Sequence, residues 1–401
     1  MFIKLTSAQS SFADVDPNHG EIGCATCHGG KEPAEFAAAH DTAYGFVRDP
    51  SRDAETACNP CHTSIVAGNL NSMHTKAWGE RNVIAERQLG ASADQTNFDE
   101  CPAELTDGFD NECTSCHTTC GQCHVSRPNS VHGGFINSHL FSSIPDQTNN
   151  CMACHGSRIG VDFRGELEGN RPDAHYLKGQ RCWDCHREDF HADASAYSSR
   201  YHLPDLPKCT DCHLGSTQSN PYHVMHWTTS ASAAKLACYV CHSQPYNNCN
   251  SCHTEDHWKE GYVATGTDSF AGGEGYREYP GFRIGYNYDQ NLFEGEYIVV
   301  RHIPIARDSY APWGHATLAT YDERPTWEYT SPHNIRLFTA QTDTSGGATC
   351  YENCHLTGDK ATANAQLYLW QAFIDSAYSD ESIANSEVVV DDHLPDTWII
   401  P

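Results

Sequence analysis

The chain has 401 residues, of which 39% are hydrophobic and 19% are charged, and its formal net charge is −27 at pH 7. The low hydrophobic content predicts that apolar side chains alone form only a small core. The strong negative charge argues against nucleic acid as a partner. No run of 18 apolar residues occurs, so the sequence predicts no membrane span, and residues 1–10 hold no apolar stretch of secretion-signal length.

One five-residue pattern, Cys-x-x-Cys-His, occurs nine times between residues 24 and 253, and a tenth copy at 350–355 has one more residue between its cysteines. The cysteines of the ten copies are Cys24, Cys27, Cys58, Cys61, Cys113, Cys116, Cys120, Cys123, Cys151, Cys154, Cys182, Cys185, Cys209, Cys212, Cys238, Cys241, Cys249, Cys252, Cys350 and Cys354. The histidines that follow them are His28, His62, His117, His124, His155, His186, His213, His242, His253 and His355.

This spacing is typical of covalent haem attachment. Two thiols add across the two vinyl groups of one haem, and the next imidazole binds the iron from one face. Zinc sites and structural disulfides also use paired cysteines, but neither needs a histidine directly after the second cysteine of every copy. The sequence therefore predicts ten haem c groups, whose apolar faces supply much of the core.

Motif density divides the chain into four parts, which are an N-terminal arm (1–23), a nine-haem region (24–253), a haem-free segment (254–349), and a tenth haem site with a helix and a tail (350–401). We expect a mostly irregular fold with short α-helices wrapped around a covalent haem chain. Alternating β-branched and aromatic residues at 281–289 and 295–306 predict a small antiparallel β hairpin within 254–349. Residues 361–379 predict a helix, and residues 388–400 an extended tail that forms an edge strand or contacts a partner.

Each haem needs a second axial ligand, or an open position for water or substrate. Fifteen histidines lie outside the motifs, whereas only four methionines exist, so bis-His ligation is favoured. We predict as ligands His40, His74, His132, His139, His175, His191, His202, His223, His226 and His257. The sequence leaves open whether the other five are ligands too, namely His19, His302, His315, His333 and His393.

Cys101 is the one cysteine outside the motifs. In a protein outside the cytoplasm it could form an intermolecular disulfide, or it could be a buried thiol. The sequence leaves both readings open.

The run CTSCHTTCGQCH at 113–124, the motif density and the surplus of histidines resemble multihaem c-type cytochromes of metal-respiring and syntrophic prokaryotes. One branch of that family comprises extracellular cytochromes that polymerise into conductive filaments, in which a histidine of one subunit can ligate a haem of the next. The other comprises multihaem redox enzymes such as pentahaem nitrite reductase, hydroxylamine oxidoreductase and octahaem tetrathionate reductase. Pentahaem nitrite reductases typically carry a Cys-x-x-Cys-Lys motif, which this chain lacks.

The expected function is electron conduction along closely packed bis-His haems, without substrate chemistry of its own. Haem is attached outside the cytoplasmic membrane, so we expect an extracellular or cell-surface location, with the periplasm as the alternative. The expected partners are other redox proteins, extracellular acceptors and further copies of the chain in a homopolymer. Two alternatives remain, namely a multihaem oxidoreductase of small nitrogen or sulfur compounds with one open haem, and a periplasmic electron shuttle.

Overall fold

The computed structural model describes residues 16–31, 37, 40–113, 118–187, 189–217, 220–224, 226, 236–250, 277–303, 305–347, 349–357, 366–374, 379–395 and 398–400. Two units divide the chain. The first comprises the described parts of residues 1–79, 109–156 and 188–200, and the second comprises those of 80–108, 157–187 and 201–401.

Helices in the described residues are short, with none exceeding 11 residues. In chain order they are Cys24–His28, Ala54–Ala57, Asn59–Asn69, Met73–Lys76, Trp78–Gln88, Ala103–Glu112, Cys120–His124, Met152–His155, Val161–Arg164, Ala174–Leu177, Cys182–Cys185, Cys209–Thr217, Pro221–His223, Cys238–His242, Cys350–Cys354 and Ser379–Ala384. Isolated helices this short are not stable in water, so they depend on tertiary packing and on what is bound to them.

The strands lie in the second unit and are β1 (Tyr246–Asn250), β2 (Arg277–Gly281), β3 (Ile284–Tyr286), β4 (Tyr297–His302), β5 (Trp327–Tyr329), β6 (Leu356–Thr357) and β7 (Ile399–Ile400). They form an antiparallel pair β1–β2, an antiparallel three-stranded sheet β3–β4–β5 and a parallel pair β6–β7. Short helices with a small antiparallel sheet agree with the predicted fold class. Wrapping around haems stays a prediction.

The predicted hairpin is present as β3 and β4, with Ile284 opposite Val299 and Tyr286 opposite Tyr297. Strand β5 extends the hairpin to three strands, because its residues pair with the second half of β4. All six residues of β4 are buried, and their apolar members form the centre of the main core with Tyr246 and Tyr368. Strands β1 and β6 were not predicted, because they lie outside both the segment 254–349 and the tail.

The helix predicted for 361–379 is wrong over the described residues 366–374. Tyr368, Leu369 and Trp370 are buried in the core. The Leu369 N–H donates to the Ile284 carbonyl at 2.8 Å, and the Leu369 carbonyl accepts from the Val390 N–H at 2.9 Å. These tertiary hydrogen bonds override local helix propensity. The tail also departs from the expectation, because its three consecutive valines lie in the core and only its end, β7, pairs as a strand.

The sheet fixes one motif helix directly. The Ala237 N–H donates to the Tyr297 carbonyl at 3.0 Å, and Leu236 forms a bridge with the same strand residue. Helix Cys238–His242 starts at the next residue. The core of the second unit therefore sets the position of the eighth motif.

Candidate functional site

Eight of the ten motifs lie sufficiently within the described residues to show both their backbone and their histidine. Six of them begin a helix at their first cysteine, and the other two have that cysteine at the N-cap of one. Residues at i, i+3 and i+4 share one face of a helix, so a helical turn presents two thiols and an imidazole in the same direction. This is the local reason for the spacing.

The tenth motif reaches a similar arrangement by a different route. Its extra residue puts Cys350 and Cys354 at the two ends of one helix, at i and i+4, which also share a face. Thr349 caps this helix in a reciprocal capping box with Glu352. His355 follows in an extended conformation.

Motif histidines lie opposite other histidines in eight pairs, four in each unit. Each pair joins one motif histidine to one histidine outside the motifs. The pairs are His28–His139, His62–His19, His124–His191, His155–His74, His186–His333, His213–His175, His242–His223 and His355–His226, with ring centroids 5.9 to 6.3 Å apart.

This separation is that of two imidazoles on one iron. With iron–nitrogen distances of about 2.0 Å and ring centres about 1.1 Å behind the ligating nitrogens, the centroids lie about 6.2 Å apart. Direct stacking gives a shorter distance, as the rings of His393 and Tyr286 show at 3.9 Å and 7°. The rings of His186 and His333 are also nearly parallel, at 13°, yet their centroids are 6.2 Å apart. The eight pairs therefore fit axial ligands on the two faces of a porphyrin.

Hydrogen bonds to backbone carbonyls orient several motif imidazoles. The Nδ1 atom of His28 lies 2.8 Å from the Val47 carbonyl, and that of His124 lies 2.6 Å from the Ser142 carbonyl. A carbonyl only accepts, so Nδ1 is the donor in these bonds and Nε2 keeps the lone pair that binds a metal.

Burial holds several of the paired imidazoles in the neutral form. It lowers the pKa of His124, His139 and His242, and it lowers the pKa of His333 to about 4. Neutral imidazole is the form that ligates a metal. These four imidazoles can thus bind a metal at neutral pH without losing a proton.

Cysteines of different motifs lie next to one another in the first unit. Cys58 of the second motif and Cys120 of the fourth form a side-chain hydrogen bond. Burial and then the neighbouring thiols of Cys24 and Cys61 raise the pKa of Cys27. Burial and then the fifth-motif cysteines raise the pKa of Cys123 to about 12. Among the motifs whose backbone and histidine are described, the neighbour order is therefore first, second, fourth and fifth.

The second unit has a corresponding order. Cys209 of the seventh motif and Cys238 of the eighth form a side-chain hydrogen bond. Burial has the largest effect in raising the pKa of Cys185, and the neighbouring Cys212 thiol has the next largest. Burial and then the tenth-motif cysteines raise the pKa of Cys241 to about 12. Among the described motifs of this unit, the neighbour order is therefore sixth, seventh, eighth and tenth.

Two histidines whose ligand role the sequence leaves open belong to the pairs, namely His19 and His333. The sequence contains a signal for His19. Like the predicted ligand His175, it lies a few residues before the first cysteine of a motif and shortly after an aspartate. His333 is far from its partner along the chain, so only tertiary structure brings it there.

The three other histidines without an assigned role make contacts of a different kind. His302 is buried with its Nε2 3.0 Å from a Glu381 carboxylate oxygen. The Nε2 of His315 lies 2.9 Å from the Gln88 side-chain oxygen. His393 stacks on Tyr286, as described above.

The eight pairs do not include His40, His132 or His202, and for these three the predicted ligand role stays a prediction. His40 contacts Phe46 edge-on, with the ring centroids 5.0 Å apart. Predictions for Cys116, His117, Cys252, His253 and His257 lie outside the described residues, and for Cys249 only the backbone is described.

Cys101 is buried, and burial followed by Glu100 and Asp99 raises the pKa of its thiol to about 11. This favours the buried-thiol reading. The described cysteines form no disulfide, and the described residues contain no cluster of three or more His, Cys, Asp or Glu that could hold a metal ion. Within the same residues, no helix is both long enough and apolar enough to cross a membrane.

Comparison with known proteins produced no match of any kind. No family model, no curated protein and no solved structure resembles the chain at a significant level.

Substituting Gly68 is expected to disturb one of the pairs. A Cβ at this position of helix Asn59–Asn69 would lie 2.4 Å from the backbone oxygen of His191. Gly68→Ala should therefore displace His191 from His124, at a cost of about 1–3 kcal/mol. If the pairs ligate haem, as the sequence predicts, about one low-spin haem per chain should become high-spin in the electron paramagnetic resonance spectrum.

Gly79→Ala is the matched control for this prediction, because it also lies in a helix and its added Cβ has no neighbour nearer than 3.8 Å. Identical spectra for the two variants would contradict the proposed role of the Gly68 contact.

Proposed function

We propose that the chain is a multihaem c-type cytochrome that conducts electrons along about ten bis-His haems outside the cytoplasm. The observation that supports this most strongly is the set of eight histidine pairs at the separation of two axial ligands. In each pair, the motif cysteines lie on the helical turn next to the motif histidine. No family resemblance is needed for this argument.

The residues of the chain have separate tasks in this proposal. The motif thiols would hold each haem by two covalent bonds. The motif imidazole and its partner would be the two protein ligands of the iron, and hydrogen bonds at Nδ1 fix the ring orientation of several of them, such as His28 and His124. Bound haem supplies one-electron exchange between ferric and ferrous iron.

Pairing supports conduction over substrate chemistry. Where protein imidazoles occupy both axial positions, a small molecule cannot bind without displacing one of them. The reductase alternative needs an open iron, which none of the eight described pairs provides. The neighbouring motif cysteines in each unit support short distances between successive haems, as electron transfer requires.

Location and assembly remain part of the proposal. Haem is attached to such motifs outside the cytoplasmic membrane, which supports an extracellular, cell-surface or periplasmic site. Redox proteins and extracellular acceptors are the proposed partners, and polymerisation of the chain stays a prediction from the sequence.

Haem counting tests the proposal most directly. We expect the mass of the intact holoprotein and its pyridine haemochrome spectrum to give about ten covalent haems per chain. The oxidised protein should be entirely low-spin, and the reduced protein should not bind carbon monoxide. One high-spin haem that reacts with carbon monoxide at full haem content would favour the reductase instead.

A cysteine variant provides the control for this count. Replacing both Cys58 and Cys61 with alanine should remove one haem, because the second motif loses both thiols. Cys101→Ala should leave the count unchanged, because Cys101 lies outside every motif. Equal haem counts in these two variants would contradict the assignment of the motifs.

A further inference from the structure

Two of the eight pairs have a buried carboxylate on the imidazole that lies outside the motif. The Nδ1 atom of His19, which pairs with His62, lies 2.9 Å from Asp16 Oδ2. The Nδ1 atom of His175, which pairs with His213, also lies 2.9 Å from its carboxylate partner, Asp173 Oδ1. Both aspartates are buried. In other pairs, the Nδ1 atom of an imidazole instead donates to a backbone carbonyl, as in His28 and His124.

Backbone N–H groups hold both carboxylates in place. Asp16 accepts from the Asn18 N–H at 3.0 Å and from the His19 N–H at 3.3 Å. Asp173 accepts from the N–H groups of His175 and Ile335, each at 2.6 Å. Donors of this kind stabilise the ionised carboxylate and fix its direction.

We infer that Asp16 and Asp173 lower the reduction potentials of the two haems ligated by His62–His19 and His213–His175. This inference rests on the proposed function. A carboxylate on Nδ1 draws the imidazole proton toward itself, so the ligand gains negative charge and stabilises ferric over ferrous iron. Burial strengthens the effect, because water does not screen the charge.

The two carboxylate-bonded haems have equivalent places in the two units. In the first unit, the motif of His62 lies between the motifs of His28 and His124 in the neighbour order. In the other unit, the motif of His213 likewise lies between those of His186 and His242. Each unit therefore has a haem of low potential at the same step of its order.

A third aspartate provides an internal comparison. Asp189 stands two residues before His191, the same spacing as Asp173 and His175, but it is 71% exposed, and its carboxylate lies 3.3 Å from the His191 Nδ1 atom. Asp173 is 2% exposed at 2.9 Å. Solvent screens the exposed carboxylate, so it should have little effect on the haem of His124–His191.

The experiment is a spectroelectrochemical titration of the holoproteins carrying Asp16→Asn, Asp173→Asn and Asp189→Asn, each with its haem content measured. For the first two variants, the ferric-to-ferrous equilibrium of one haem should shift at least tenfold toward the reduced form, which is about 59 mV for one electron. Asp189→Asn should shift it less than threefold. Equal shifts in Asp173→Asn and Asp189→Asn would overturn the inference.

A measurement on the wild-type holoprotein covers the case in which the asparagine variants fail to fold. Near-infrared magnetic circular dichroism of the oxidised protein should show two haems whose charge-transfer band lies at higher energy, because their ligands carry extra negative charge. Bands that are alike for all haems would refute the inference while leaving the proposed function intact. A wild-type protein without covalent haem would instead refute the proposed function first.

Discussion

Replacing His333 with alanine is expected to convert one low-spin haem into a high-spin haem that binds carbon monoxide. His333 is the partner of His186, with ring centroids 6.2 Å apart, and burial lowers its pKa to about 4. Alanine has no donor atom for iron, so one axial position becomes available to water or carbon monoxide. Electron paramagnetic resonance of the oxidised variant and carbon monoxide titration of the reduced variant measure the change.

The expected stoichiometry is about one high-spin haem per chain, with the total haem content unchanged. It stays unchanged because Cys182 and Cys185 still attach the haem and His186 still binds it. His333→Met should restore a low-spin haem with a raised potential, since methionine is the axial ligand that raises the potential relative to histidine. This second variant separates loss of a ligand from general disturbance of the fold.

His393→Ala is the control for His333→Ala, because His393 also lies outside the motifs but stacks directly on Tyr286 at 3.9 Å. Its removal should leave every haem low-spin. If His333→Ala kept ten low-spin haems and bound no carbon monoxide, His333 could not be an axial ligand, and the interpretation of the 6 Å pairs would fail with it.

The local parts of this structure were predictable from the sequence. The hairpin of β3 and β4 was predicted, because its two strands are close in the sequence and their alternation reflects one buried face. The short motif helices were predictable in kind, because the i, i+3, i+4 spacing of the motif matches one helical turn. Both features depend on residues that are neighbours along the chain.

Pairing of the histidines could not be predicted in the same way. His28 and its partner His139 are more than a hundred residues apart, as are His186 and His333. The sequence supplies more candidate histidines than haems, and only tertiary packing selects among them. For this reason, the sequence leaves the ligand role of His333 open while it predicts His40 as a ligand.

The predicted helix at 361–379 failed for a related reason. Leu369 joins β3 and the tail through two backbone hydrogen bonds, and its neighbours are buried. A segment with apolar residues on all sides can serve as a buried extended strand, and periodicity alone does not distinguish it from a helix. Long-range contacts decided its conformation.

Replacing Arg87 with methionine is expected to destabilise the second unit by about 3–5 kcal/mol at neutral pH. Arg87 is fully buried and donates to the Glu86 carboxylate at 2.5 Å, to the Pro325 carbonyl at 2.5 Å and to Glu328 at 3.1 Å. Methionine preserves much of the volume but leaves Glu86 and Glu328 near one another without the positive charge. The free energy of unfolding, measured by urea denaturation and far-ultraviolet circular dichroism, should report the loss.

The sign of the pH dependence follows from Glu86. Burial raises its pKa above 4.5 even though Arg87 acts to lower it. The folded state therefore holds a proton that the unfolded state has already lost, so this group makes stability fall as pH rises from 4.5 through the raised pKa. Without Arg87 the pKa rises further, and the variant should lose more stability at pH 7 than at pH 5.

Arg324→Met is the control for Arg87→Met, because Arg324 faces the same Glu86 carboxylate at 3.5 Å but is 37% exposed. A partly solvated pair of this kind contributes about 0–1 kcal/mol, because water and salt screen its charges. If the two variants lost equal stability, or if Arg87→Met lost no more at pH 7 than at pH 5, then burial of the Arg87 guanidinium would not be the source of the effect. The two arginines share Glu86 as a partner, so the contrast between them follows from the burial of Arg87 and from its further bonds to Pro325 and Glu328.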